Sequence, residues 1–349
     1  MTASEDKSQH FLISARARTL DVKRIARMSE EEAVDVFIAL RYSDTGGEPF
    51  CSKCRCQVTY KINRTIKNRK TGEITGTSRK YTCADCGHQF SPTAGTIFHS
   101  RKLEHRDILL GVALWINGAK GMAALELCRQ MNMNVKSAFV VEQKLREVIG
   151  SIQHARKLSG IVEGDATYVG GYVKPANFKK NRADRRRLAN QSGRRQAVTV
   201  LRERNGRTRA FVQSEKDTAT KMLDLVELGS EIITDENKAW DSLDAIFDRK
   251  RINHDGRDVA NYGEAAYSKE GVSTNQAESA HARLKRSQMG VHHRISGKYL
   301  QGYADEMTWR EDVRRLSNGE QFLQLVTAGL HHPRSKRMVG KWQRKKRAA

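Results

Sequence analysis

Two pairs of cysteines with identical spacing constrain the fold of this chain more than any other feature. Cys51 and Cys54 form one CxxC sequence, Cys83 and Cys86 form another, and 28 residues lie between the pairs. Two residues between cysteines let both thiolates of one turn reach the same ion, and two such turns complete a tetrahedral four-sulfur shell. The spacing therefore predicts one structural zinc ion held by these four residues. Four reduced thiols without a metal are the alternative.

The segment between the cysteine pairs is typical of a β-hairpin. Residues 57–83 are rich in β-branched and basic side chains and contain a Thr-Gly-Glu turn. A hairpin between two metal-binding turns predicts a zinc ribbon, with Cys56 and His88 as spare candidate ligands. Such a small module cannot bury a core of its own, so zinc would contribute folding free energy. The ribbon would present basic side chains, or serve as a structural clip or a protein-docking surface.

The region after the second cysteine pair has helical periodicity. Apolar residues recur at helical spacing over 103–117, and the segments 122–131 and 135–149 flank a break at 132–134. This pattern predicts a helix-turn-helix with its second helix in a DNA major groove, although such helix pairs also occur in folds that never contact DNA. The apolar positions that support this pattern are Leu125, Leu127, Cys128, Val135, Ala138, Phe139 and Val148. Cys128 is expected in the core.

The chain is strongly basic. Lys and Arg total 63 against 40 Asp and Glu, which gives a net charge of +23 and a pI near 9.9. Such a charge concentrates polyanions and supplies sequence-independent nucleic-acid affinity through counterion release. Eight basic residues lie in 179–195 and eight more follow His332, which predicts two phosphate-contacting arms. The arginines of the first arm that we expect to contact DNA are Arg185, Arg186, Arg187, Arg194 and Arg195.

Other features of the composition exclude a membrane protein. No apolar run approaches the roughly 20 residues that span a bilayer, and no anchor helix or lipidation signal is present. The N-terminus lacks the apolar core of a signal peptide. These observations predict a cytoplasmic, nucleoid-associated protein with no membrane partner. With 349 residues, of which 38% are hydrophobic, two or three folded domains are expected.

The second half of the chain places acidic residues on predicted strands. Residues 161–169 alternate as a buried strand with Asp165 in its middle, and an Asn-Gly pair separates the predicted strands 196–201 and 209–212 as a hairpin. A helix is expected around 218–228. A short strand over 231–234 then delivers Asp235, and a further helix over 238–247 and a strand near Ile252 follow.

A third group of polar residues lies on a predicted helix that runs from about Asn275 to Met289. Asn275, Glu278 and Lys285 fall close to one face, while Ala277, Ala280 and Leu284 form the opposite, core-facing stripe. This element order is that of an RNase H-like α/β fold: a strand with an acid, a hairpin, a helix, a strand that ends in an acid, and a helix with a polar ligand. Paired Mg²⁺ ions that cut phosphodiester bonds require such oxygen ligands. Taken alone, the three acidic or polar positions fit structural ion pairs equally well.

Several short motifs occur in a fixed order between about Phe37 and about Arg315. They are Cys51–Cys54, Tyr81–Phe98, Glu163–Gly171, Thr234-Asp235, Thr274–Glu278 with Lys285-Arg286, Gly290–His293, and Tyr303–Glu306 with Arg310. This ordered series resembles bacterial and archaeal insertion-sequence transposases of the DDE class, the ISXO-type family, which carry an N-terminal zinc ribbon and Asn or Glu as the third catalytic residue. The series is far more specific than any single motif.

The resemblance implies roles for individual residues. Asp165 and Asp235 would be the first two ligands of two Mg²⁺ (or Mn²⁺) ions, and Asn275 or Glu278 would be the third. Lys285, seven residues after Glu278, would contact DNA phosphate.

Other positions qualify or extend these roles. Arg286 is expected to contact DNA beside its neighbour on the helix. Ala166 stands where an acid usually follows the first Asp in the family, and Ser273 stands where His usually precedes the Thr-Asn pair. Neither departure removes a metal ligand.

The sequence therefore predicts a multi-domain transposase that binds the terminal inverted repeats of a mobile element and its target DNA, as a dimer or larger assembly. It would cleave the 3′ ends of the element and transfer them into target DNA. A non-catalytic zinc-ribbon regulator and an RNase H-like nuclease are the alternatives. The expected parts are an N-terminal helical segment (1–48), the zinc ribbon (49–98), the helix-turn-helix region (99–155), the RNase H-like catalytic domain (156–318) and a basic tail (319–349).

Overall fold

The chain divides into two compact units. The computed structural model describes residues 10–67, 71–170, 176, 178–183, 195–204, 206–213, 218–252 and 272–338. The first unit comprises Met1–Gly118, Ala124–Val148 and Arg315–Ala349, and the second comprises Ala119–Ala123 and Ile149–Arg314. Both cysteine pairs lie in the first unit and both candidate aspartates in the second. None of the described helices combines the length and the apolar character that crossing a lipid bilayer requires.

The first unit contains a three-stranded antiparallel sheet with the order β1-β2-β3. Strand β1 (Thr59–Lys67) and strand β2 (Ile74–Cys83) form the hairpin predicted between the cysteine pairs, and the short strand β3 (Gln89–Phe90) pairs with β2. A small core forms beside this sheet from buried Tyr42, Tyr81 and Phe90 together with Cys51 and Cys83. Tyr42 follows α2, so a residue from outside the ribbon completes this core. A module as small as the ribbon cannot bury a sufficient core of its own.

Helices form much of the rest of the described part of the first unit. Local sequence explains where two of them begin, because a serine side chain and a glutamate three residues later cap each other's backbone amides at Ser29 and at Ser317. The helices are α1 (Val22–Arg27), α2 (Glu30–Arg41), α3 (His105–Asn117), α4 (Ala124–Gln130), α5 (Val135–Gln153, which runs on into the second unit) and α9 (Asn318–His331).

The segment predicted as a basic tail from residue 319 begins with helix α9. Phe322, Leu325, Val326 and Leu330 are buried and recur at helical spacing, so one apolar stripe faces α2 and α3. The strong basic charge of the following residues obscured this stripe in the sequence.

The segment predicted as a helix-turn-helix region forms α4, a turn and α5. Asn132 in the turn has a left-handed φ of 47°, and Leu127, Ala138 and Val148 are fully buried. The expectation that Leu125 and Val135 belong to the same apolar face is wrong, because their exposed fractions are 51% and 45%. Residues two apart on a helix point in nearly opposite directions, so Leu125 and Leu127 cannot both face the core. Cys128, expected in the core, is partly buried.

Glu30 caps the N-terminus of α3 from a different helix. Its carboxylate accepts the backbone amides of His105 (3.0 Å) and Arg106 (3.1 Å) and lies 2.6 Å from Nδ1 of His105. Burial opposes ionisation, but these hydrogen bonds outweigh it and lower the pKa of Glu30 to about 2. The ionised carboxylate therefore joins α2 to α3.

Replacing Glu30 with Gln should destabilise the first unit by about 1–2 kcal/mol at pH 7, the usual contribution of an N-cap or a charge-assisted hydrogen bond. Because the folded pKa lies below the unfolded value of 4.5, the stabilisation is complete above pH 4.5 and is lost as the pH falls towards 2. Thermal unfolding of both proteins between pH 7 and pH 3 measures this. Glu31→Gln, at an exposed position in the same turn, is the matched control. A difference from wild type that stayed constant with pH would contradict the assignment.

The second unit is built on a five-stranded mixed sheet with the order β6-β5-β4-β7-β8. Strands β4, β5 and β6 are antiparallel neighbours, whereas β7 and β8 run parallel to β4. The predicted strands and the Asn-Gly hairpin are confirmed. The strands are β4 (Ile161–Gly170), β5 (Arg195–Glu203), β6 (Thr208–Gln213), β7 (Glu231–Asp235) and β8 (Asp248–Ile252).

Helices cover both faces of this sheet, and the alternation of side chains along the strands explains why. On β5, Val198 and Val200 pack on one face and Leu201 on the other. Helix α6 (Thr218–Leu225) packs with Leu201, while α7 (Asn275–Ser287) and α8 (Gly297–Asp312) cover the face that carries the two valines.

Two predicted helices differ in length or type. The helix expected over 238–247 is a 3-10 helix, Lys238–Leu243, and a turn follows it. Arg249, on the neighbouring strand, binds Asp241 (2.9 Å) and Asp244 (2.5 Å), so tertiary ion pairs hold this segment close to β8. Helix α7 ends at Ser287, and one π-helical turn, Gln288–His292, continues it past the expected end at Met289.

Candidate active site and zinc centre

The four cysteines of the two CxxC sequences come together at one point of the first unit. Their sulfur atoms all lie within 4.8 Å of one another. The Sγ atoms of Cys51 and Cys86 are 3.7 Å apart, and those of Cys54 and Cys83 are 3.4 Å apart. A tetrahedral zinc with bonds of about 2.3 Å requires sulfur separations of roughly 3.8 Å. The cluster therefore fits one structural zinc ion.

Backbone amides donate to two of these sulfur atoms. The amides of Lys53 and Cys86 point at the sulfur atoms of Cys51 (3.3 Å) and Cys83 (3.5 Å). The hydrogen bond from Cys86 is the main reason that the pKa of the Cys83 thiol falls to about 6. Hydrogen bonds to sulfur favour the thiolate, which is the form that binds metal.

The spare candidate ligands stay outside this cluster. The thiol of Cys56 is 3.7 Å from the carbonyl oxygen of Val58, and the ring of His88 is stacked on Phe90 at 6.1 Å with an interplanar angle of 13°. Neither residue belongs to the four-sulfur group.

The candidate aspartates lie on adjacent parallel strands of the second unit. Ile161 pairs with Glu231 and Glu163 pairs with Ile233. Continuing this register by two residues puts Asp165 on β4 opposite Asp235 on β7, and neighbouring strands are about 4.8 Å apart. Burial raises the pKa of Asp235, and the negative charge of Asp165 raises it further. The two carboxylates are therefore close enough for their charges to interact, and a cation between them would be stabilised.

A histidine holds the first aspartate in place. Nδ1 of His281 on α7 lies 2.7 Å from Oδ2 of Asp165, and only 4% of the His281 side chain is exposed. The other oxygen of Asp165 accepts the amide of Ala166 at 2.7 Å. Sequence reasoning did not assign a role to His281. Its position three residues after Glu278, on the same side of the helix, is the signal that could have identified it.

A tryptophan holds the second aspartate. The indole Nε1 of Trp240 donates to Oδ1 of Asp235 at 2.7 Å, and the amide of Asn237 donates to the same oxygen at 3.3 Å. Trp240 is almost fully buried and comes from the 3-10 helix that directly follows β7. No pattern in the sequence indicated a role for Trp240.

Glu163 anchors the start of α7 to β4. Its side chain is fully buried, accepts the amide of Gln276 at 2.9 Å, and pairs with Arg204 at 3.3 Å. The first turn of α7 carries Asn275, which is exposed, and Glu278, whose carboxylate accepts a hydrogen bond from Thr274 at 3.2 Å. The anchor therefore brings the first turn of α7, with both candidate third ligands, next to the strand of Asp165.

The predicted DNA-contacting residues are only partly described. Arg185, Arg186, Arg187 and Arg194 lie outside the described residues, and for Arg195 only its place at the start of β5 is described. Lys285 and Arg286 are exposed in the last turn of α7.

Known families match both halves of the chain. Residues 28–89 match the transposase zinc-ribbon domain, and residues 157–312 match the ISXO2-like transposase domain. No curated protein sequence matches significantly. Among solved structures, the crystal structure of the Mos1 strand transfer complex is 12% identical, with 67% of this chain and 76% of that chain covered and a TM-score of 0.23. The chain thus carries a transposase zinc ribbon followed by an ISXO2-like transposase domain, the family that its motifs indicated.

Proposed function

We propose that this protein is an insertion-sequence transposase with an RNase H-like catalytic domain over residues 156–318. The proposal rests on the parallel register of β4 and β7 between Ile161 and Glu163, which, continued by two residues, would bring Asp165 opposite Asp235, and on the contact of Glu163 with the first turn of α7. Three antiparallel strands followed by two parallel ones, in the order β6-β5-β4-β7-β8, support the same fold. The third ligand is Asn275 or Glu278.

The donor set of this site suits Mg²⁺ (or Mn²⁺). Carboxylate and amide oxygens are the ligands that hard divalent cations prefer. Burial and the neighbouring charge of Asp165 raise the pKa of Asp235, and a bound cation would offset both effects. Two such ions, when bound, would polarise the scissile phosphate and lower the pKa of the attacking hydroxyl.

The protein's own residues orient these ligands and the DNA. His281 fixes the orientation of the Asp165 carboxylate, and Trp240 fixes that of Asp235. Lys285, two turns past Glu278 on α7, would hold a DNA phosphate.

The proposed reaction has two phosphoryl-transfer steps. In the first, water attacks a phosphodiester at the end of the element, and the bond to the 3′ oxygen breaks to leave a 3′-OH and a 5′-phosphate. In the second, this 3′-OH attacks a phosphodiester of target DNA, forms a new bond to phosphorus and releases a target 3′-OH. Each step exchanges one P–O bond for another, so no covalent protein–DNA intermediate is needed.

The first unit would supply recognition of the element. The zinc ribbon (49–98) and the helix-turn-helix region (99–155) would bind the terminal inverted repeats, with the helical segment 1–48 and the basic tail (319–349) as additional contacts. Two ends must be held together, so a dimer or larger assembly would form on DNA. A transposase of this kind acts on chromosomal DNA, which places it in the cytoplasm with the nucleoid.

Linear DNA carrying the element's flanking repeats, incubated with the protein and Mg²⁺, tests this function. A transposase yields nicked 3′ ends and strand-transfer products in which element DNA is joined to a second duplex. A nuclease would yield cut DNA without joined products, and a regulator would bind without cutting. Either of these last two results would contradict the proposal.

Replacing His281 with Ala should lower the cleavage rate about 10–100-fold and raise the Mg²⁺ concentration needed for half-maximal rate, as loss of a residue that orients a metal ligand usually does. His281→Asn, whose amide can donate a similar hydrogen bond, should recover part of the rate. His154→Ala, at an exposed histidine of the same unit, is the matched control. An unchanged Mg²⁺ dependence in His281→Ala would contradict this positioning role.

A further inference from the structure

A basic pocket lies in the first unit beside the zinc ribbon. Its volume is about 380 Å³, and its walls include Lys80 of β2, His88, His99 and Arg334. The remaining described lining residues are neutral, so none of the side chains that are described around the pocket carries a carboxylate. A cavity of this size that is lined by positive and neutral groups attracts an anionic ligand.

The fold holds these basic groups in place. The pairing of Tyr81 with Phe90 sets β3 beside β2, and Lys80 and His88 both line the pocket next to these strands. Nδ1 of His99 accepts the backbone amide of Gly95 at 3.1 Å. A neutral ring with Nδ1 as acceptor carries its proton on Nε2, so His99 offers one N–H donor.

Further positive charge surrounds the pocket. Arg41 donates to the carbonyl oxygens of Ser91 (3.4 Å) and Ala94 (2.6 Å), so its guanidinium supports one wall. Burial lowers the pKa of His99, and the charges of Arg334, Lys144 and Arg41 lower it further.

One carboxylate lies close to this charge. Burial lowers the pKa of Lys144, and the charge of Glu147 offsets this only in part. Glu147 also accepts a hydrogen bond from Ser335 at 2.6 Å. Among the described groups around the pocket, Lys80, Arg334, Arg41 and Lys144 outnumber this acid, so the pocket is positive.

The aromatic group of the pocket argues against a stacked base. Phe90 has an exposed fraction of only 2%, and His88 is stacked on it. Proteins that hold unpaired bases need an accessible aromatic face. The accessible groups here are ammonium, guanidinium, imidazole, hydroxyl and amide donors, which suit phosphate oxygens.

We propose that the pocket bounded by Lys80, His88, His99 and Arg334 binds a backbone phosphate of DNA. This inference rests on the proposed function, because it assumes that the first unit binds the element's DNA. It adds a defined phosphate site that joins the ribbon to the segment that follows α9. His88 thereby takes a DNA-binding role in place of the metal-ligand role that its spacing suggested.

The test measures the affinity of the full-length protein for a fluorescein-labelled duplex by anisotropy over a series of salt concentrations. Each lost phosphate contact should reduce the slope of log K against log salt by about 0.9, which is roughly an eightfold loss of affinity near 0.1 M salt. Lys80→Gln and Arg334→Gln should each show this change, and the double variant about twice the change in slope. Lys221→Gln removes an equal charge from α6 of the other unit and should leave the slope near the wild-type value.

Zinc content and thermal unfolding establish that each variant is folded. A folded double variant with the salt slope of Lys221→Gln would overturn the phosphate site while leaving the transposase function intact. A wild-type protein that binds no duplex would overturn both.

A second readout uses the wild-type protein alone and separates DNA from free anions. The ring resonances of His88 and His99 should shift when duplex is added and should not shift with millimolar inorganic phosphate. Shifts with inorganic phosphate together with unchanged ring signals on DNA would identify a small-anion site and overturn the proposal.

Discussion

Asp165→Asn is expected to reduce both 3′-end cleavage and strand transfer by about 10³-fold, because loss of one metal-binding carboxylate removes several kcal/mol of transition-state stabilisation. Asp235→Asn should have an effect of the same size. DNA affinity should stay within a few-fold of wild type, since neither residue belongs to a basic surface. Denaturing gels of the cleavage and joining products, together with anisotropy for DNA binding, measure the two effects separately.

A neighbouring acid provides the control for this prediction. Asp248 is exposed at the start of β8, on the same sheet and next to β7, so Asp248→Asn should leave the cleavage rate near wild type. Either aspartate variant cleaving at the rate of Asp248→Asn would contradict the proposed site.

The same assay decides the third ligand. Asn275→Ala and Glu278→Ala are compared. The variant that loses about as much activity as Asp165→Asn identifies the third ligand. The other variant should lose less activity, because its side chain would not bind the metal. Both residues lie in the turn of α7 that Glu163 anchors, so the two variants are matched in position.

Removal of zinc is the second change with a large expected effect. Structural zinc binds finger peptides with about 10–16 kcal/mol at pH 7, and that free energy is folding free energy. Chelation, or Cys83→Ser, should therefore unfold the ribbon and abolish specific DNA binding. Zinc stoichiometry, hydrogen exchange of the β1–β2 amides and duplex affinity report the loss. The second unit, which contains none of the cysteines, should keep its hydrogen-exchange protection.

Cys56→Ser is the matched control for this prediction. Cys56 lies two residues after Cys54 but outside the four-sulfur group, so this variant should retain one zinc per chain. A Cys83→Ser protein that keeps full zinc content, or a Cys56→Ser protein that loses it, would show that the ligand set is wrong.

Local patterns predicted much of this fold. The period-two alternation around Asp165 predicted β4, the Asn-Gly pair predicted the hairpin of β5 and β6, and the apolar stripe of Ala277, Ala280 and Leu284 predicted the buried side of α7. Each of these signals depends on residues that are close in sequence, where backbone geometry fixes which side chains share a face.

Prediction failed where a tertiary contact outweighed the local pattern. Segment 238–247 has a helical pattern, yet it forms a 3-10 helix and a turn. Arg249 of β8 binds Asp241 and Asp244 of this segment, and Trp240 of the segment donates to Asp235 of β7. In α4, two apolar positions two residues apart suggested one buried face, but Leu127 is buried and Leu125 is exposed.

The sequence by itself determined the family, most of the strands and helices, and the four cysteines that cluster, because short spacings and an ordered motif series carry that information. Tertiary structure alone decided that His281 contacts Asp165, that Trp240 contacts Asp235, and that Arg334 lines a pocket with Lys80. These partners are far apart in the chain or lie on different elements, and no local periodicity encodes which helix or turn packs against which strand. That choice depends on the burial of many apolar side chains at once, and it sets the position of the few polar groups that function requires.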